Sequence, residues 1–482
     1  MGNHRGMSAW QLAMMALGTV VGGSFFLGSS VAIKAAGPAV LISYVLGAVL
    51  VYFILYSLSE MTVANAAPGS FRSFAGDVFG PGVSFVVGWV YWTGLILAMS
   101  SEATAVSLLI REWLPDISIS LVGSMIIIAV TLINLLGADN LSKLESSLAA
   151  IKLLAIIAFI LMALSIISGI MPGITRVGLG ELNREMLFPA GLGGVAGSML
   201  IVLLTYAGFE TIGLAASEAQ NPVKTVPKAI NYTVFTLVGL YVICIAVIMP
   251  LVPTDALNEE ISPMVAALNR WGIDWAGTVL NIVLITAILS TMLAAMFGLG
   301  RMIRSLALDG QAPKWLKTME DVPRRGIIFS GIAMLVGMSM SLILPETVYI
   351  FLLSSSGFAL LFTYAVILAT HIRFRKKYGC PPNGKCQMPA YPYSDWIALT
   401  GLVAIIVSMP LVPGQGSGLI AGLIIVAVYS SAYLVMRSIK RVRKNHKINN
   451  TGIGTLSKMR MSMEASEELT DKNRESDKDR SH

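Results

Sequence analysis

Long apolar runs alternate with short polar connections from one end of this chain to the other. Runs of roughly 20 residues are long enough to cross the hydrocarbon core of a bilayer. They recur at about 10–33, 39–61, 82–110, 119–137, 148–171, 193–217, 231–252, 275–300, 326–344, 347–371, 395–413 and 418–436. The pattern predicts twelve transmembrane helices, an all-α polytopic membrane protein. The first run is too long for the apolar core of a cleaved signal peptide, and eleven more follow it.

Two runs are interrupted in the same manner. Run 1 contains Gly18-Thr-Val-Val-Gly-Gly-Ser-Phe-Phe-Leu-Gly28, and run 6 contains Thr205-Tyr-Ala-Gly-Phe-Glu-Thr-Ile-Gly213. Glycine and hydroxyl residues stand where a continuous helix favours Leu or Ala. Two such interruptions at matching places predict discontinuous helices that meet at a site near the membrane midplane.

Composition agrees with the pattern and adds orientation. Of 482 residues, 55% are hydrophobic and 13% charged, and the mean hydropathy is +0.75. A soluble chain of this length needs far more charged surface. With the N-terminus placed in the cytoplasm, twenty-eight of the 34 Lys and Arg residues fall on cytoplasmic segments and five outside, with Lys152 inside a span. That asymmetry orients the protein with both termini cytoplasmic. The net charge of +7 is therefore mostly an orientation signal, and no nucleic-acid-binding signature accompanies it. A basic collar, Arg437 to Lys447, precedes a polar tail predicted to be disordered, so that 438–482 separates from the helical part. The three cysteines supply no disulfide framework. Cys244 lies in run 7, and Cys380 and Cys386 lie in a connection placed in the cytoplasm, where thiols stay reduced. With His371 as the nearest histidine they make a poor zinc site, and no metal is expected.

Several residues carry candidate chemistry, each with a plainer alternative. Thr19, Gly22, Gly23 and Ser24 let the backbone leave the helical path. The bare N–H groups beyond the break suit a carboxylate, although small residues also serve close helix packing. Carbonyls near Thr205, Tyr206, Ala207 and Gly208 suit an ammonium. Tyr206 and Phe209 shape a pocket or simply fill the core. Glu102, Lys152 and Glu210 are intramembrane charges, which mark pathways or buried pairs. A buried lysine can exchange a proton near neutrality, or it can lock helices in a fixed ion pair. Glu210 either organises the unwound segment or titrates. Ser290 and Thr291 can hold sodium with carbonyls of run 1, or bond back to their own helix. A lysine ammonium in the same place excludes sodium by charge. Glu60 and Glu218 read as interfacial.

The same residues resemble a known family. Ala36-Gly-Pro, Ser59-Glu-Met, Pro68-Gly-Ser-Phe, Gly88-Trp-Val-Tyr-Trp, Glu102-Ala-Thr-Ala, Ser217-Glu-Ala-Gln-Asn-Pro-Val-Lys and Leu306-Ala-Leu-Asp-Gly-Gln-Ala-Pro-Lys, together with the first break, are similar to amino acid permeases of the amino acid–polyamine–organocation superfamily, in its amino-acid-transporter subfamily. The resemblance covers about residues 8 to 440. It implies a five-plus-five inverted repeat (about 10–171 and 193–371), broken helices 1 and 6, and helices 11 and 12 (about 395–436) outside the repeat. Residues 1–437 then form one transporter domain of the plasma membrane. The substrate backbone lies between spans 1 and 6, with spans 3, 8 and 10 completing the pocket. Lys152 corresponds to the span-5 lysine of proton-coupled permeases, and Glu102 and Glu210 to glutamates of spans 3 and 6. The chain departs from the subfamily at Gly22-Gly23-Ser24, where Gly-Thr-Gly is usual, and at Leu95, Phe209 and Leu289.

The expectation is a proton-coupled uptake symporter for neutral amino acids, working by alternating access, with no cofactor beyond the coupling proton and with membrane lipid around it. An amino acid or amine exchanger shares every one of these features. A sodium symporter conflicts with Lys152, a non-transporting nutrient receptor would need its tail for signalling, and no nucleophile–base pair suggests an enzyme.

Overall fold

The computed structural model describes residues 6–64, 71–136, 138–214, 219–318, 320, 322–343, 347–380 and 386–439. The expected tail from 440 onward, the motif residues 68–70 and 217–218, and Arg5 lie outside the described residues.

Helices account for the architecture, and among the described residues the sole β feature is an isolated bridge between Met7 and Ala219. In order they are α1 (Ala9–Val20), α2 (Gly23–Phe26), α3 (Gly28–Ala36), α4 (Val40–Ala64), α5 (Phe71–Phe79), α6 (Pro81–Arg111), α7 (Ile119–Asn134), α8 (Ala138–Ser168), α9 (Gly191–Thr205), α10 (Thr211–Leu214), α11 (Pro222–Ile248), α12 (Pro263–Arg270), α13 (Asp274–Leu308), α14 (Arg324–Ser339), α15 (Val348–Tyr378), α16 (Tyr393–Ser408) and α17 (Gly416–Ile439). Local chemistry sets many of their ends. Ser8 and Gln11 form a capping box that starts α1. Pro81, Pro222 and Pro263 open α6, α11 and α12, where a missing N–H costs nothing. Gly37 and Gly379 close α3 and α15 at positive φ.

Among the described residues, eight helical segments are long and apolar enough to cross a membrane, with shorter apolar helices at Ala9–Val20, Ile119–Asn134 and Gly191–Thr205. Each of the twelve predicted runs coincides with a helix or a broken set of helices. The outer faces match a hydrocarbon solvent. α8 turns Leu154, Ile157, Leu161 and Leu164 outward while Lys152, Ile156, Phe159 and Ala163 are buried. Exposed leucine and isoleucine on this scale belong against lipid tails. The protein is thus a multi-pass membrane protein.

Inside the bundle, α6 runs along α15 and α13, α4 packs on α11 and α9, and α3 packs on α9. The short pieces α1, α2 and α10 are enclosed by these long helices: α2 touches α6, α9 and α13, and α1 touches α8, α10, α11 and α13. A second compact unit begins at Ala427, and its described part, 427–439, is helical. Cys380 and Cys386, expected as reduced thiols, are joined as a disulfide, their Cα atoms 5.3 Å apart and within bridging reach.

Candidate functional site

The first break begins where α1 runs out. Val21 donates the last helical hydrogen bond, to Leu17, and the backbone at Val21 and Gly22 is then extended. A carbonyl at position i in a helix accepts from the N–H at i+4, so Gly18 loses its partner. The Lys152 ammonium of α8 supplies the replacement, donating to the Gly18 carbonyl at 2.8 Å from a side chain that is itself buried. On the far side of the break, the N–H groups of Gly23 and Ser24 open α2. Both donate to the carboxylate of Glu102 in α6, at 2.7 and 3.1 Å. Each of these charge-assisted bonds is worth about 1.5–3 kcal/mol. A Cβ on Gly23 would stand 2.6 Å from Glu102 Oε2, closer than real Cβ contacts come. A side chain there would push the Glu102 carboxylate away from its N–H donors, and the φ of Gly23 is ordinary.

The second break lies directly against the first. α9 ends at Thr205, and Gly208 turns the chain at φ 105°, a region open to glycine at little cost. A Cβ on Gly208 would meet the Thr19 carbonyl at 3.0 Å. The Thr19 hydroxyl, which also donates to the Ala16 carbonyl at 2.9 Å, lies within hydrogen-bond distance of the Gly208 carbonyl and the Thr211 hydroxyl, 3.3 Å in each case. Thr211 donates to the same Gly208 carbonyl at 2.8 Å. Glu210 gathers the unwound segment: its carboxylate accepts from the Gly208 N–H at 3.0 Å, from Tyr91 of α6 at 2.8 Å and from Tyr364 of α15 at 3.2 Å. Of the two roles open to Glu210, the organising one is visible in these contacts.

The remaining candidates divide. Thr291 of α13 faces the first break, its hydroxyl 3.1 Å from a Cβ built on Gly22, yet it donates to its own helix at Ile288. Ser290 is buried beside it. Phe209 lies against Tyr364, ring centroids 5.0 Å apart, on the Glu210 side. Tyr206 points the other way. It packs on Tyr44 of α4 and Tyr241 of α11 and donates to the Tyr44 carbonyl, the core role rather than the pocket role. Thr205 bonds back to Val202, and its carbonyl accepts from Tyr241. Ala207 is partly exposed at the turn.

Sequence reasoning missed Tyr91, Tyr364 and Thr211 as partners of the break. Tyr91 sits inside the Gly88-Trp-Val-Tyr-Trp motif, which offered a signal. Tyr364 lies in a featureless apolar stretch and offered none.

The chain matches the family model for amino acid permeases over residues 11–450. It is 31% identical to the gamma-aminobutyric acid permease of Bacillus subtilis over 434 residues, covering 89% of this chain and 92% of the relative. It is 30% identical to a probable threonine/serine transporter of the same organism, over 92% and 96% of the two chains. An aromatic amino acid transport protein of Escherichia coli is 29% identical over 92% and 98%. These relatives are permeases and transporters, and none is an enzyme. With its two facing helix breaks and its apolar outer surface, the chain belongs to the amino acid permease family.

Proposed function

We propose that this protein is a proton-coupled uptake symporter for neutral amino acids, and that Glu102 stands in for the substrate carboxylate when the site is empty. The observation that carries the proposal is the pair of bonds from Gly23 and Ser24 to Glu102. The same N–H groups suit the carboxylate of an amino acid, and one pair of donors cannot hold both anions. When the substrate carboxylate takes those donors, Glu102 is left buried beside a second anion. Like charges at such range cannot both stay ionised, so Glu102 takes a proton. Lys152 holds the other edge of the same break. Substrate binding and proton binding are thereby linked at one place. The ammonium of the substrate goes to carbonyls of the second break, between Thr205 and Gly208.

The named relatives handle gamma-aminobutyric acid, threonine or serine, and aromatic amino acids. Those ligands share one carboxylate and one amine and little else, which fits recognition by peptide groups. Lys152 and Glu210 keep their backbone partners and Glu102 is neutral once substrate displaces it, so a charged substrate side chain finds no dedicated counter-ion, and neutral substrates are favoured. An ammonium at the Gly18 carbonyl disfavours sodium.

Uptake into proteoliposomes of L-serine, L-threonine, L-phenylalanine and gamma-aminobutyric acid tests the reading. An inwardly directed proton gradient should drive accumulation of at least one of them, and a sodium gradient should add nothing. Uptake that requires preloaded substrate and ignores the proton gradient would establish an exchanger instead.

A further inference from the structure

Outside the two breaks, a buried cluster gathers four charged side chains. Glu60 lies near the end of α4, His371 and Arg375 near the end of α15, and Asp395 in the first turn of α16. Glu60, His371 and Asp395 are each at most 1% exposed. His371 Nε2 is 2.7 Å from Glu60 Oε2, and its Nδ1 is 2.7 Å from Asp395 Oδ2. Arg375 donates to both oxygens of Glu60, at 2.8 and 3.0 Å. Glu60 also accepts from the N–H groups of Gln387 and Met388, and Ser57 donates to Asp395 Oδ1 at 2.9 Å. The Tyr391 ring stands edge-on to His371, its centroid 5.8 Å away, and lies under the Arg375 guanidinium.

The hydrogen count in this cluster is decisive. A neutral imidazole has one N–H donor and one acceptor. Here both ring nitrogens face carboxylate oxygens at full hydrogen-bond distance. A neutral ring would leave one nitrogen lone pair pointed at an anion, in a place that water does not reach. The charge count agrees. Two carboxylates and one guanidinium leave one buried negative charge uncompensated, a costly state. One additional proton corrects both counts. Glu60 already accepts from four N–H groups besides the ring, and Asp395 from Ser57, so the proton belongs on the imidazole.

We infer that His371 is a second proton-binding site of this protein, separate from Lys152 and Glu102, and that its proton clasps α15 to α4 and α16. Loss of the proton breaks one of the two short bonds and leaves a ring lone pair facing a buried carboxylate oxygen. α15 is the helix that also carries Tyr364, seven residues from His371, or roughly 10 Å along the axis. The clasp therefore sits on the same rigid element that supports Glu210 at the second break.

The chain contains four histidines, at positions 4, 371, 446 and 482. Replacing the other three (His4→Asn, His446→Asn, His482→Asn) leaves His371 as the single histidine and keeps Glu60, Arg375 and Asp395 unchanged in sequence. Nitrogen-15 spectra of that full-length variant in nanodiscs, recorded from pH 6 to pH 8, should show both ring nitrogens protonated throughout, while a histidine-containing peptide in the same buffer becomes neutral. In Asp395→Asn, the doubly protonated signal should be lost within that range, and deuterium exchange across 371–395 should rise with it. A ring that is already neutral at pH 7, or one that keeps both protons unchanged in Asp395→Asn, would overturn the inference. Neither result depends on which substrate is carried or on how transport is coupled.

Discussion

The two breaks are built from the same residue types but are held in opposite ways. The second is closed mainly from within. Gly208 supplies the turn, Glu210 two residues on accepts its N–H, and Thr211 covers its carbonyl. Tyr91 and Tyr364 add neutral hydroxyl donors from neighbouring helices. The first break has no such local closure. Its exposed carbonyl and its exposed N–H groups are covered by charged side chains from two other helices, Lys152 and Glu102. A break gathered by a carboxylate of its own segment carries its main partner with it. A break held by titratable groups reaching in from elsewhere can be released by a proton or by a competing ion. In the proposed cycle that difference gives the first break the switching role and the second the platform role.

Substitutions should separate the two roles. Lys152→Ala removes the ammonium that covers the Gly18 carbonyl. Proton-driven accumulation should fall at least about a hundredfold in proteoliposomes, and wild-type accumulation in that variant would break the comparison. Glu102→Gln leaves one acceptor oxygen where the carboxylate offers one to Gly23 and another to Ser24, so at least one charge-assisted hydrogen bond is lost, about 1.5 kcal/mol or more. The competitor is then easier to displace. Substrate should bind about tenfold tighter with no dependence on pH, as read by thermal shift, and unchanged pH dependence would contradict the role given to Glu102. Tyr364→Phe removes one of the donors to Glu210, a change of about 1 kcal/mol. It should lower thermal stability slightly and leave the proton-coupling ratio unaltered, because Glu210 keeps its bonds to Gly208 and Tyr91.

The smallest effect lies outside both breaks and acts as a control. Glu259, in the connection before α12, has its carboxyl pushed above the usual range, first by burial and then by Glu260, with Lys34 acting against them. The folded chain then binds that proton more readily than the unfolded chain, so ionisation of Glu259 costs stability as pH rises. Glu259→Gln should raise the melting temperature slightly at pH 7, by about 1 °C. The gain should vanish on acidification through the carboxylate range, with transport untouched at every pH.

Much of this was legible in the sequence, for physical reasons that differ by residue. The breaks were visible because glycine and hydroxyl residues inside an apolar run are locally unfavourable and stand out. Lys152 and Glu102 were visible because charge in a span is rare. Their partners were not, since which carbonyl a lysine reaches depends on how α8 packs on α1. Tyr206 shows the opposite limit: beside the break in sequence, it faces α4 and α11, and no local pattern records which way an unwound residue turns. Glu60 read as interfacial because it lies near a span end, while the buried cluster around His371 depends on residues more than 300 positions apart.

The most direct test of the account is a structure of the protein with bound amino acid, using whichever of L-serine, L-threonine, L-phenylalanine and gamma-aminobutyric acid raises its melting temperature most. The ligand carboxylate should lie on the N–H groups of Gly23 and Ser24, with the Glu102 side chain displaced from them. Glu102 still bonded to both N–H groups, with the amino acid bound elsewhere, would contradict it.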